Sequence, residues 1–323
     1  MLSLAHGLVF LSLYNQQRLI YMMKKILCID IGGTRIKSAV LPEHPTFDDV
    51  QKAPRMVVRT LGWLNHSLPK LLDPGHWPSL ASHYHKQGIK YDAVALSVPG
   101  IIDGGGLFKR ADLVNGPAQV PENLLSALKE SAGCPVSVVK DADAWMMGFQ
   151  VYERQIGINS EFPAVLMAFG TGFGISAASS STDVASIEVG ARPSRSWQRL
   201  ATASGYNITE CWHIHRIIGR PFFEYVENER KDWDHIRIRD EYSKRVNAAL
   251  NDILPWIEVN MGAAIRTVVL AGGNAEYVSV RSLSENGRRI ISLTDRLSTL
   301  PPDLITVLGV ESASHRPPTR ALQ

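Results

Sequence analysis

Between Lys24 and Val40 the chain reads Lys-Lys-Ile-Leu-Cys-Ile-Asp-Ile-Gly-Gly-Thr-Arg-Ile-Lys-Ser-Ala-Val. Ile26 to Ile31 is a short apolar run rich in β-branched residues and broken by one carboxylate, Asp30, and a second run opens at Ile36. Gly32-Gly33-Thr34 between them is a turn signal, so the stretch predicts a β-hairpin with two glycines at its tip. Glycine has no Cβ, so its backbone N–H can approach an anion closely, and the Thr34 hydroxyl adds a donor. Asp30 is the unexpected residue. A carboxylate beside a phosphate-sized loop repels the phosphate unless a cation lies between them, which points to Mg²⁺. An ordinary hairpin with an acid near its turn would read the same way, and the rest of the chain has to decide.

A chain of 323 residues, 45% hydrophobic and 20% charged, has the length and composition of a globular protein of two ordinary domains. Its net charge of +3 gives no reason to expect nucleic acid or an anionic membrane as partner. Three cysteines, at 28, 134 and 211, make neither a disulfide framework nor a zinc spacing, so a cytoplasmic location is expected. Residues 1–23 contain an apolar run too short to span a bilayer and a poor match to a signal peptide, and are expected to be an extension outside the fold. His66, His76, His83 and His85 fall close together, but no ligand spacing links them, and they read as loop or helix histidines.

The pattern of the first hairpin returns. Ala164 to Phe169 is a strand, Gly170-Thr171-Gly172 a glycine turn, and Ile175 to Ala178 a returning strand. A third glycine pair, Gly272-Gly273, ends the strand Thr267 to Ala271. Between the hairpins, Val136 to Lys140 is a buried strand running into Asp141-Ala-Asp143, which opens a helix. The fold class expected is α/β, with domains at 24–145 and 146–312 and a cleft between them. A nucleotide could lay its phosphates on the first two turns and its base against the third.

Ile29-Asp-Ile-Gly-Gly-Thr34, Lys140-Asp-Ala-Asp-Ala144, Phe169-Gly-Thr-Gly-Phe-Gly174, Glu188-Val-Gly190 and Val268-Val-Leu-Ala-Gly-Gly273 occur in the order and spacing of the ROK family of sugar kinases. The resemblance covers roughly residues 24–309. It implies the actin-like, hexokinase-like (ribonuclease H-like) fold, each domain a mixed sheet flanked by helices, closing on a sugar and a nucleotide. It also implies ATP and Mg²⁺ as cofactors. By the same resemblance Asp141 matches the catalytic base, and Asp30 the residue that acts on the metal, through water. Gly32, Gly33, Thr34, Gly170, Thr171 and Gly172 match the phosphate loops, and Gly272 and Gly273 the loop beside adenosine. Glu188 matches a sugar ligand; Gly100 and Asn115 resemble lesser sugar-site positions, where a plain turn reads equally well. A helix N-cap is the alternative for Asp141.

Several positions depart from the family pattern. Ala191 stands where Glu-x-Gly is usually followed by His, and no cysteine lies between 135 and 210, so the family's zinc loop is gone and no zinc is expected. The second sugar-binding Glu has no clear counterpart, with Gln198 or Leu200 near its place. Lys140 replaces a sugar-contacting Asn; an ammonium there would lower the pKa of Asp141 and make it a weaker base, or could instead hold a substrate anion or point into solvent. Val310 to Gln323, with Pro317-Pro318, is not expected to continue into the family's closing helix, and 313–323 is expected to be a disordered tail. The leading expectation is a kinase acting on a hexose 6-hydroxyl with ATP. Polyphosphate as donor and a sugar- or nucleotide-binding protein without catalysis are the alternatives. The family's repressors are disfavoured, since no helix-turn-helix pattern precedes Lys24. The expected partner is a small sugar, with a homodimer left open.

Overall fold

The computed structural model of the protein describes residues 24–32, 35–59, 68–102, 108–113, 116–119, 123–157, 160–170, 173–187, 235–278, 287–293, 302–316 and 319–321. Two mixed sheets dominate. The first has the order β3-β2-β1-β4-β8, from β1 (Lys25–Ile31), β2 (Arg35–Pro42), β3 (Arg55–Arg59), β4 (Ala93–Val98) and β8 (Val136–Lys140). β1 pairs antiparallel with β2 and parallel with β4, and β4 is parallel to β8. The second sheet repeats this plan. β9 (Ala164–Phe169) pairs antiparallel with β10 (Phe173–Ala178) and parallel with β12 (Thr267–Ala271). β11 (Ala185–Ile187) and β13 (Arg289–Ser292) flank them, and β14 (Arg320–Ala321) joins the outer edge of β11. A small third sheet comprises β5 (Gly100–Ile102), β6 (Phe108–Leu113) and β7 (Gly116–Gln119).

The central strands are buried on both faces, as strands covered by helices on two sides must be: six of the seven β1 residues and all six of β9 are buried. One face of the first sheet, with Leu27, Ile29 and Val94, packs on α2 (Leu68–Leu72), α3 (Leu80–Lys86) and α4 (Leu124–Ala132). One face of the second, with Val165, Met167 and Val268, packs on α6 (His235–Met261). A single cluster joins the two inner faces. Ile26, Cys28 and Ala95 of the first sheet and Leu166, Ala168 and Val269 of the second meet across α5 (Asp141–Ile156) and α7 (Pro302–Ser314). The layers therefore run helix, sheet, helix, sheet, helix. A short α1 (Phe47–Lys52), held by a capping box between Thr46 and Asp49, follows β2.

Both ends of the chain's second half differ from expectation. A domain boundary at 145/146 falls inside α5, which runs unbroken from Asp141 to Ile156 because both sheets bury it. The C-terminal segment is also helical, as α7 continues to Ser314 and packs on β1, β4 and α5. Leu304, Ile305, Val307, Leu308 and Val310 are buried there, so packing offsets the weak helical pattern. Within 313–323, the segment expected to be a disordered tail, α7 reaches Ser314 and Arg320–Ala321 forms β14. Residues 1–23 lie outside the described residues.

Glycine sets the spacing of α5 and α7. A Cβ on Gly309 would fall 1.6 Å from the Ala144 carbonyl oxygen, and one on Gly148 would fall 1.9 Å from that of Ile305. Alanine normally improves a helix interior over glycine by about 0.5–1 kcal/mol. Overpacking against rigid backbone typically costs about 1–3 kcal/mol or more, so the sign reverses. We expect Gly309→Ala to lower the thermal unfolding midpoint; a rise would show that the two helices have room to part.

Candidate active site

The parallel strands β1, β4 and β8 end level with one another, with Asp30 opposite Ser97 and Val98 opposite Lys140. The crevice beyond such carboxyl ends is where open α/β sheets place their ligands. Asp30 is buried, and both its oxygens are engaged: Ser97 Oγ donates to Oδ1 at 2.8 Å and Lys37 Nζ to Oδ2 at 3.2 Å. Lys37 faces Asp30 across the hairpin register and also lies 5.7 Å from the centre of the Trp145 ring. Trp145 is one helical turn beyond Asp141 on α5, so the first hairpin and the start of α5 are tied through Lys37. Each Asp30 oxygen keeps a further lone pair, which suits contact with a hydrated Mg²⁺ through its water better than direct ligation.

Asp141 is the first residue of α5, and its Oδ1 accepts from the Ala142 N–H at 2.7 Å. Across from it, Gly174 on β10 comes so close that a Cβ there would lie 3.0 Å from Ala142 Cβ and 3.7 Å from Asp141 Oδ1. Burial pushes the Asp141 carboxyl up to about 7, against lowering by Lys140 and the Ala142 N–H, with Asp30 and Asp143 adding repulsion. Lys140 lowers the Asp141 pKa, as its place in the sequence suggested, but desolvation outweighs the neighbouring ammonium and the net shift is upward. Lys140 does not point into solvent. It is buried, and its Nζ donates to the Ile187 carbonyl, which places it against the backbone just before Glu188.

Asp143, two residues on, faces away. It is fully buried, accepting from Ser176 Oγ at 2.7 Å on one oxygen and from Thr319 Oγ1 at 2.9 Å on the other. On the second sheet, β9 and β12 end side by side, with Ala168 opposite Ala271. Gly272 has a φ of +86°, and a Cβ there would fall 2.5 Å from the Phe169 carbonyl oxygen, so this crossing requires glycine. Asn274 pins the crossing: its N–H donates to Phe169 O at 2.9 Å and its Nδ2 to Gly170 O at 2.5 Å. Gly170 and Gly272 are therefore held side by side. Gly170 has open space where a Cβ would go, and Gly32 closes the first hairpin through its N–H to Arg35 O at 2.9 Å. Gly100 begins β5; Gly33, Thr34, Asn115, Thr171, Gly172 and Glu188 lie outside the described residues.

The sequence reading missed Lys37, Ser97 and Asn274 as supports. Lys37 was within reach, since pairing Ile31 with Ile36 sets Asp30 against Lys37; Asn274 adjoins a glycine pair already singled out. Ser97 needs the β1–β4 register, which no local pattern carries.

Residues 26–182 match the ROK family, which bears out the resemblance over the first hairpin, the Lys140–Ala144 run and the second glycine turn. Solved structures share the fold. An inorganic polyphosphate/ATP-glucomannokinase from Arthrobacter sp. strain KM is 18% identical, with 91% of this chain and 100% of that one covered and a TM-score of 0.52. Lmo2764 of Listeria monocytogenes, a putative N-acetylmannosamine kinase, is 16% identical, with 90% and 100% covered and a TM-score of 0.54. A ROK family glucokinase from Streptomyces griseus, solved with glucose and AMPPNP, is 15% identical, with 89% and 98% covered and a TM-score of 0.53. No curated protein matches the sequence. No helix among the described residues is long and apolar enough to cross a membrane.

A carboxyl group raised from 3.8 to about 7 on folding keeps its proton in the native state where the unfolded chain has lost it. The native state then binds more protons, so its stability falls as pH rises through that window, and the cost is complete above it. Asp141→Asn removes the cost. We expect the variant to melt above the wild type at about pH 8, with the gap closing toward about pH 4; a gap independent of pH would show that Asp141 is ordinarily ionised.

Proposed function

We propose that the protein is a Mg²⁺-dependent kinase that transfers the γ-phosphate of ATP to a hexose or hexose derivative, at the 6-hydroxyl, in the cytoplasm. The ROK match and the sugar kinases of like fold support a carbohydrate kinase. The observation that carries the reading is Asp141: a carboxyl at the mouth of α5, close to β10, poised near neutrality. A general base works best when its pKa lies near the working pH, because it is then both deprotonated often enough and basic enough.

Asp141 takes the proton from the attacking sugar hydroxyl. Glu188, which follows β11 directly, holds the sugar, and the Lys140 bond to Ile187 O fixes that strand end beside the base. By the resemblance, Gly100 and Asn115 contribute to the sugar site. Gly32 turns the first hairpin, and the backbone N–H groups of Gly33, Thr34 and Gly170 to Gly172 receive the phosphates, while Gly272-Gly273, pinned by Asn274, bounds the nucleoside. Mg²⁺ supplies neutralisation of charge on the transferring phosphoryl group. Asp30, braced by Lys37 and Ser97, would hold that ion through water.

A panel of hexoses, amino sugars and acylated amino sugars, each with ATP and with polyphosphate, tests the reading. Transfer from ATP to one sugar class supports it, transfer from polyphosphate alone changes the donor, and nucleotide binding without turnover on any sugar overturns it. Asp141→Asn should lose about 10²–10⁴-fold in kcat while nucleotide still binds. The rate should fall below about pH 7, where Asp141 takes up its proton. Asp143→Asn is the comparison: it leaves two hydroxyl donors facing an amide, so it should cost stability while the folded fraction keeps its turnover. Wild-type turnover in Asp141→Asn would move the base elsewhere.

A further inference from the structure

Far from the strand ends, three side chains converge that none of the roles above uses. Glu311, near the end of α7, is buried at 2% exposure, whereas His44 and His315 at its sides are reachable from solvent. His315 lies one turn beyond Glu311, and its Nε2 is 2.9 Å from Glu311 Oε1. His44 comes from the loop between β2 and α1, 267 positions earlier than Glu311, and its backbone N–H donates to the same oxygen at 2.8 Å. Its backbone is left-handed, at φ 54°, a conformation that non-glycine residues adopt rarely. The two imidazole rings are 4.9 Å apart, and one ligand atom from each of the three residues lies within 4.8 Å of the others.

The geometry points to a three-ligand site for a transition-metal ion of the Zn²⁺ class, formed by His44, Glu311 and His315. Two imidazoles and a carboxylate are the donor set such ions take, whereas Mg²⁺ prefers a shell of oxygens. Tetrahedral bonds of about 2.0–2.1 Å hold ligand atoms roughly 3.4 Å apart, so small side-chain rotations from the present positions suffice. The fourth position has somewhere to open: His44 and His315 line a cavity of about 810 Å³, which leaves room for a water or an incoming ligand. A bound ion would join the β2–α1 loop to the end of α7, linking the first sheet's periphery to the segment that leads into β14. The sequence reading expects no zinc, but on the ground of a missing cysteine loop; this set lies elsewhere, and His44 is too far along the chain from the Glu311–His315 pair for any spacing rule to find.

The test is titration of the chelator-treated full chain with Zn²⁺, followed by calorimetry and thermal unfolding, with Mg²⁺ as the contrast. One Zn²⁺ per chain should bind saturably and raise the unfolding midpoint, and Mg²⁺ should not. His44→Asn, which tolerates the left-handed backbone, and His315→Gln should each weaken Zn²⁺ at least as much as loss of a supporting partner does, about 10–100-fold. Should His315→Gln fail to fold, His44→Asn decides alone. In the wild type, Zn²⁺ should shift the imidazole resonances of His44 and His315 and leave those of His76, His83 and His85 in place. Absence of saturable Zn²⁺ binding, affinity undiminished in a folded variant, or shifts confined to other histidines would each overturn the site.

Discussion

The contact of α5 with α7 is what the molecule depends on. Two sheets can share one helical layer only if the helices in it lie close enough for both inner faces to reach them. Gly148 and Gly309 permit that by bringing backbone against backbone. The same layer fixes the start of α5, and with it Asp141, at the junction of β8, β1 and β10. A carboxyl placed there is partly shielded from water by both halves of the protein. Its raised pKa follows from the layering more than from any single neighbour, which is why one adjacent lysine does not reverse it.

That placement costs stability at neutral pH, and the surrounding groups bear on it unequally. Lys140 and the Ala142 N–H favour the ionised form, whereas Asp30 and Asp143 disfavour it. Asp30 is in turn held by Lys37 and Ser97, and Asp143 by Ser176 and Thr319. The three carboxylates thus have distinct surroundings. Two have a donor on each oxygen, and the third is left with one backbone bond and a perturbed proton. Carboxyl groups whose surroundings separate their behaviour in this way are characteristic of sites that move protons.

What the sequence disclosed was whatever is local. Alternating or continuous apolar runs ending in glycine located β1, β2, β9, β10 and β12 and the turns between them, and the Lys140–Asp141 junction was legible as strand passing into helix. The electrostatic outcome at Asp141 was not, because adjacent residues in a sequence advertise their charge but not the solvent they will lose. The C-terminal segment misled for a related reason. Its proline pair and polar residues suggested a tail, yet burial of Leu304, Ile305, Leu308 and Val310 between two sheets makes a helix of the preceding stretch, and Thr319 and β14 find partners on elements made much earlier.

The late position of α7 has a consequence for how the protein is made. The inner face of the first sheet, complete in its strands once β8 has been synthesised, waits for Pro302–Ser314 to cover it. During translation, domains generally fold as units from the N-terminus. Here the first half cannot complete its core until α7 has been synthesised, so part of its apolar face stays uncovered while the second sheet is being made. A face left open for that long is free to make non-native apolar contacts, and α7 is the element that ends the exposure.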